Sequence, residues 1–191
     1  MKTKHLLALA FGTLLSTSVL AHVGADGGGH HGFLTGFFHP ITGLDHLAAM
    51  LAVGVWSAMT ARRIWAAPLA FASLLLVGAL LAQAGIAFPA IEPMIAASML
   101  VVGLLLAAQV KLPEAAGAVL VGAFALFHGA AHGQELAGAG ALLGMVAGTA
   151  LLHVAGMGVG LVMRRHSAWL PRAAGAAVAL FGLNMAWSLM A

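Results

Sequence analysis

The sequence predicts an all-α membrane protein, a polytopic bundle of transmembrane helices that follows a cleavable signal peptide. Of its 191 residues, 62% are hydrophobic and only 7% are charged, whereas soluble domains average about 45–50% and about 25%. The apolar residues also occur in blocks of about 20, the length of a helix that crosses the hydrocarbon core of a bilayer. A soluble core of this size could not bury so much apolar surface, so we expect lipid around most of the chain.

The N-terminus has the three parts of a secretory signal peptide. Two lysines precede an apolar run, and small residues end the segment at Ala21, so we predict a signal peptide over 1–21 with cleavage after Ala21. An uncleaved first helix is the alternative, and either interpretation places the next residues outside the cytoplasm. The Gly- and His-rich segment 22–38 begins too polar and flexible to span a membrane, and it predicts a periplasmic leader.

Six further apolar stretches predict six transmembrane helices within a domain that runs from 39 to 191. Their approximate ranges are 41–60, 65–87, 90–110, 114–132, 135–163 and 168–190. Four tryptophans lie toward the ends of these spans, where an amphipathic ring prefers the headgroup region. We expect all four to act as anchors: Trp56, Trp65, Trp169 and Trp187.

Lysine and arginine near the span ends predict the orientation, because these residues stay on the cytoplasmic side. In a chain that starts outside, the first, third and fifth loops are cytoplasmic, and they contain all six basic residues beyond position 21: Arg62, Arg63, Lys111, Arg164, Arg165 and Arg172. We therefore predict a bacterial cytoplasmic membrane protein with both mature termini in the periplasm. The basic residues are scattered and face five acidic ones, which argues against a nucleic-acid partner.

The first group of polar residues in the spans is the motif HPITGLDH, which contains His39, Asp45 and His46. An ionisable side chain at membrane depth costs several kcal/mol and usually marks a site or a pathway. In a regular helix Asp45 and His46 lie about 9–10 Å deeper than His39. One ion therefore cannot bind all three unless the helix is broken near Gly43. Met50, one turn after His46, is a further candidate ligand.

The second group lies at the junction of the fourth and fifth spans. His128 and His132 are four residues apart, which places both imidazoles on one helical face. Glu135 follows Gly133, where we expect the backbone to turn and bring the carboxylate back beside the histidines. The chain contains no cysteine, and imidazole with carboxylate ligands suits a borderline divalent metal ion.

Both groups open on the same side of the membrane in the predicted topology, so we predict a relay of metal ligands along a path. The outer ligands are His39, His128, His132 and Glu135, and the inner pair is Asp45 and His46. Weaker candidates are His22, His30 and His31, which would collect metal in the leader, and His153 in the fifth span. His153 is either a lower station or a histidine that bonds a neighbouring carbonyl, and for both groups the alternative is hydrogen bonding between helices.

The motif HPITGLDH resembles the first-span motif HPxxGxDH of the HupE/UreJ family of nickel/cobalt permeases, and HGAAHGQE looks like the second polar motif of that family. Signal peptide, length and span count also fit, so the resemblance covers essentially the whole chain. It implies uptake of Ni²⁺, sometimes Co²⁺, for hydrogenase or urease maturation. It also implies that the histidines and the aspartate of the first motif are needed for transport.

We predict that the chain is not an enzyme and that its metal ion is cargo, with no prosthetic group. It has no GxxxxGK[ST] loop for ATP, so a gradient, the membrane potential or a partner must drive transport. One alternative is an intramembrane metalloenzyme with histidines around iron or zinc, although the chain lacks an HExxH motif. The other is an assembly subunit that binds metal or haem without moving it.

Overall fold

The computed structural model describes residues 30–167 and 169–191, and over these residues the chain is helical apart from one short β-pairing. The elements are β1 (His30–His31), α1 (Phe33–Thr42), α2 (Leu44–Thr60), α3 (Ala66–Gln83), α4 (Ile91–Ala107), α5 (Glu114–Glu135), β2 (Leu136–Ala137), α6 (Ala139–His166) and α7 (Leu170–Ser188). The predicted all-α class is confirmed. The predicted signal peptide and His22 lie outside the described residues.

The first predicted span, 41–60, corresponds to α2, and α1 precedes it and meets it at Gly43 with a bend of 80°. The Thr42 hydroxyl lies 3.2 and 3.1 Å from the carbonyl oxygens of Phe38 and His39, and it shares its single proton between these two acceptors at the end of α1. Gly43 itself has an extended backbone, with φ −79° and ψ 115°. Helix α1 begins at Phe33, inside the segment 22–38 that the sequence predicts as a leader.

Three described helices are long and apolar enough to cross a bilayer, namely α3, α5 and α6, and the bent pair α1–α2 is a fourth if it forms one span. The chain is therefore a helical membrane protein. Of the two remaining predicted spans, α4 is apolar but only 17 residues long. The other, α7, contains Arg172 and Asn184, which lower its mean hydropathy.

The helices pack mainly in pairs, with α3 on α5, α4 on α7, and both α1 and α2 on α6. Small residues allow these close approaches, as they do in membrane bundles generally. A Cβ on Gly129 of α5 would overlap the carbonyl oxygen of Leu75 in α3, and one on Gly144 of α6 would overlap that of Phe33 in α1. Close contacts of this kind seat α1 on α6 and α5 on α3, and α1 and α5 carry four of the six predicted ligands: His39, His128, His132 and Glu135.

The two ends of the bundle differ in charge. The end of α2, the start of α5 and the end of α6 meet at one of them, where Arg63 Nε lies 3.6 Å from Glu114 Oε2 and Arg164 donates to the carbonyl of Ala58 at 3.4 Å. At the opposite end β1 pairs in parallel with β2, directly after Glu135. The basic loops and the predicted outer ligands thus lie at opposite ends of the bundle.

One of the four predicted tryptophan anchors is wrong. Trp56 is buried, and its Nε1 donates to the carbonyl oxygen of Val110 at 3.0 Å, so it joins α2 to the end of α4. The other three tryptophans are exposed on the bundle surface, as an anchor requires: Trp65, Trp169 and Trp187.

Candidate metal centre

Four imidazoles form one compact group, which we call the histidine cluster: His39, His46, His128 and His132. The ring centroid of His132 lies 4.8 Å from that of His39 and 4.2 Å from that of His46. The His46 ring is in turn 5.3 Å from His128 and 6.4 Å from His39. Of the two geometries that the sequence left open, the structure has the broken helix, because the break at Gly43 folds His39 back over the start of α2.

The outer part of the centre contains His39, His132 and Glu135. His39 Nε2 lies 2.9 Å from Glu135 Oε2, and both side chains are about a quarter exposed. One ligand atom from each of the three residues lies within 4.8 Å of the other two. Donors around a tetrahedral ion are about 3.4 Å apart when each bond is about 2.1 Å, as for zinc. These side chains must therefore close by about 1 Å to bring all three onto one divalent ion.

The predicted turn at Gly133 is wrong, because α5 continues as a helix to Glu135. Glu135 lies three residues after His132 and so shares its face without any turn. Gly133 is instead a contact residue, since a Cβ there would overlap the carbonyl oxygen of Ala79 in α3. The carboxylate is placed by helical periodicity and by the close packing of α5 on α3.

Asp45 and His46 form a buried pair in the first turn of α2, with 2.9 Å between Asp45 Oδ1 and His46 Nδ1. A carboxylate accepts at this distance, so His46 Nδ1 carries the proton and Nε2 keeps the lone pair that binds metal. Carboxylates commonly orient metal-binding histidines in this way. A Cβ on Gly43 would lie 3.1 Å from both bonded atoms, so glycine leaves room for the pair. This contact favours a positioning role for Asp45, with His46 as the ligand.

The tautomer of His128 follows from a second hydrogen bond. Ser98 donates its hydroxyl proton to the carbonyl oxygen of Ile95 at 2.7 Å, and its oxygen lies 2.8 Å from His128 Nε2. Because the only hydroxyl proton is already used, His128 Nε2 must donate to Ser98, and Nδ1 keeps the lone pair. That Nδ1 is buried and has no hydrogen-bond partner among residues 30–167 and 169–191. His128 thus presents, on Nδ1, a lone pair that a metal ion can bind.

The predicted division into outer and inner ligands is wrong in part. His128, predicted as outer, is fully buried beside the predicted inner residue His46, while His132 contacts the rings of both His39 and His46. Met50 is fully buried in the main hydrophobic core.

The weaker histidine candidates lie outside the cluster, and His22 lies outside the described residues. His153 lies midway along α6, with its ring 5.1 Å from that of Phe71. The backbone of His30 and His31 forms β1, which pairs with β2 immediately after Glu135.

The sequence model of a family described as "HupE / UreJ protein" matches residues 8–185. The chain belongs to the HupE/UreJ family. Among curated proteins, Protein HupE of Rhizobium leguminosarum bv. viciae is 42% identical over 168 residues, which cover 85% of this chain and 86% of that protein. No solved structure matches the chain. The region that defines HupE/UreJ membership contains the break at Gly43, the whole histidine cluster and Glu135.

Two residues that contribute to the site of this HupE/UreJ protein, Ser98 and Phe71, are not distinguished by the sequence, and a third, Glu92, is expected from it only to face solvent or cap a helix. Ser98 fixes the His128 tautomer, and it is a lone hydroxyl in an apolar helix, a signal that could have found it. Phe71 contacts the His128 ring at 5.6 Å, but nothing in its sequence context distinguishes it from other core aromatics. Glu92 is exposed and lines, with Gln134 and Glu135, a cavity of about 320 Å³ beside the outer part of the centre.

Proposed function

We propose that this HupE/UreJ protein is a permease that carries Ni²⁺, or Co²⁺, into the bacterial cytoplasm. The observation that carries the proposal is the histidine cluster, packed with Glu135 between apolar helices and free of thiols. Nitrogen and oxygen donors without thiolates suit borderline divalent ions, and several such groups at membrane depth usually mark an ion pathway. The proposal includes six spans in the inner membrane, periplasmic termini, and supply of the metal to hydrogenase or urease maturation.

The ion enters through the cavity beside Glu135. The carboxylates of Glu92 and Glu135 line this space, and they attract a hydrated cation to the periplasmic end. The ion next binds His39, His132 and Glu135, whose donor atoms lie close enough to share it. The leader histidines at 22, 30 and 31 assist collection, because the pairing of β1 with β2 holds the leader backbone next to Glu135.

Transfer into the bundle then proceeds through His132. Its ring contacts both His39 and His46, and the His46 ring contacts His128. An ion can therefore exchange one imidazole at a time, and it never loses all of its ligands in the apolar interior. The relay predicted from sequence becomes a pair of overlapping sites that share His132.

The direct test of the proposal is uptake of radioactive nickel into liposomes that contain the purified protein. We expect saturable uptake that Co²⁺ inhibits, with Zn²⁺ and Mn²⁺ as further competitors and an imposed pH gradient or potential as the driving force. Protein-free liposomes are the control. Folded protein that moves no metal under any gradient would contradict the proposal, and substrate turnover or a haem absorption band would favour the enzyme or assembly-subunit alternatives.

Replacing Asp45 with asparagine is expected to lower nickel affinity about 10–100-fold, the usual effect of removing an outer-shell carboxylate. The amide has the same shape but no charge, so its oxygen is a weaker acceptor for His46 Nδ1–H and leaves the ring less electron-rich and less firmly oriented. Isothermal titration calorimetry of the protein in detergent measures this change. Glu114→Gln is the matched control, since it makes the same chemical change at the opposite end of the bundle. Equal affinity in both variants would exclude the positioning role.

A further inference from the structure

A second polar group lies in the bundle interior, apart from the histidine cluster. Thr149 and His153 are four residues apart on α6 and therefore share one face, and both are buried. Within the described part of the chain, three of their polar atoms have no hydrogen-bond partner: both ring nitrogens of His153 and the hydroxyl oxygen of Thr149. Buried polar groups in folded proteins nearly always have partners, and exceptions call for an explanation such as an ion or water.

The position of this pair relates it to the cluster. The buried Phe71 ring lies edge-on to His153 at 5.1 Å and tilted against His128 at 5.6 Å. A single aromatic side chain therefore lies between the deepest ring of the cluster and His153. Along the helices, His128 lies about 10 Å from the end of α5 at Glu135, and His153 lies about 21 Å from the start of α6. His153 thus lies deeper in the bundle than His128, toward the basic end.

The chemistry of the pair suits transient binding. Thr149 supplies a hydroxyl oxygen and His153 an imidazole nitrogen, and the buried Met157, one turn further along α6, adds a thioether on the same face. All three are neutral donors, and imidazole and thioether both accept borderline or soft metal ions. With no carboxylate in this set, the ion is held less strongly than at Glu135, so it can leave again.

We propose that Thr149 and His153 form an inner station that receives the divalent cation from His128 when the Phe71 ring swings aside. This inference rests on the proposed function and extends the path from the periplasmic half to the middle of the membrane. It also accounts for buried lone pairs on His153 and Thr149 that lack partners among the described residues, because a bound cation takes them up.

The test compares His153→Leu with wild-type protein in nickel-uptake and nickel-binding measurements. Leucine removes two unsatisfied nitrogens from an apolar site, so the Tm is expected to be no lower than that of the wild type. Nickel affinity of the cluster is expected to be unchanged, while uptake into liposomes falls roughly tenfold or more, because loss of a station raises the transport barrier. Thr149→Val is expected to reduce uptake less, and the exposed residue His166, changed to Leu, is the matched control.

Uptake by His153→Leu within about twofold of wild type would overturn the inner station. Loss of cluster affinity together with uptake would also overturn it, because His153 would then act through the packing of the cluster. If the wild-type protein moves no nickel, the proposed function fails, and the Co²⁺ absorption spectrum then decides about the station. One bound Co²⁺ fewer in His153→Leu than in wild type would retain it, and equal numbers would overturn it.

Discussion

Changing His132 to alanine is expected to abolish nickel uptake and to lower nickel affinity by about 100-fold or more. Loss of a residue that only supports a ligand costs up to about 100-fold, and His132 is itself a proposed ligand. His132 is the member that the two halves of the centre share, with its ring 4.8 Å from His39 and 4.2 Å from His46. Its removal leaves a histidine–carboxylate pair at the mouth and two buried histidines inside, without a ligand that passes the ion between them. Calorimetry and liposome uptake measure the two losses separately.

His166→Ala is the matched control for this change. His166 lies exposed in the last turn of α6, at the end of the bundle opposite to the cluster, so its loss is expected to leave binding and uptake intact. Gel filtration and thermal unfolding check that both variants fold. Substantial uptake by folded His132→Ala protein would show that the ion follows another route, and it would remove the main support for the proposed path.

The ligand types of the centre follow from the sequence because ionisable residues are rare in the spans and therefore conspicuous. His39, His46, His132 and Glu135 are all recognisable in this way, and the spacing of His128 and His132 places both on one face. The all-α class follows equally directly from composition and from the length of the apolar stretches. These features depend on local properties of the chain, namely the types of single residues and their spacing along a helix.

The arrangement of the ligands does not follow from the sequence, because it depends on contacts between distant segments. The sequence around Gly43 permits either a regular helix or a break. In the structure α1 packs on α6, and the chain bends by 80° between α1 and α2. Gly133 permits either a turn or a close helix contact. The structure has the contact, because the backbone of α3 at Ala79 packs directly against Gly133. The tautomer of His128 depends on Ser98, thirty residues away along the chain.

The packing of α1 on α6 leads to the second large effect, expected for Gly144→Ala. The Cα of Gly144 faces the carbonyl oxygen of Phe33 and the amide nitrogen of Phe37, both main-chain atoms of α1. A methyl group there cannot be accommodated by a side-chain rotation, so α1 must move away from α6. His39 follows Phe37 by two residues and moves with it, away from Glu135 and His132. We expect a loss of about 1–3 kcal/mol in stability, as for other overpacked sites, and about 10–100-fold weaker nickel binding.

Gly158→Ala provides the comparison within the same helix. A Cβ at Gly158 meets no non-neighbouring atom of the described residues within 4 Å, and alanine is the better helix former by about 1 kcal/mol. This variant is therefore expected to bind nickel as the wild type does and to unfold at the same or a higher temperature. Weaker binding in Gly144→Ala alone would show that α1 must sit directly on α6 for His39 to reach the ion. Equal binding in both variants would instead mean that α1 is free to adjust and that the bend at Gly43, by itself, positions His39.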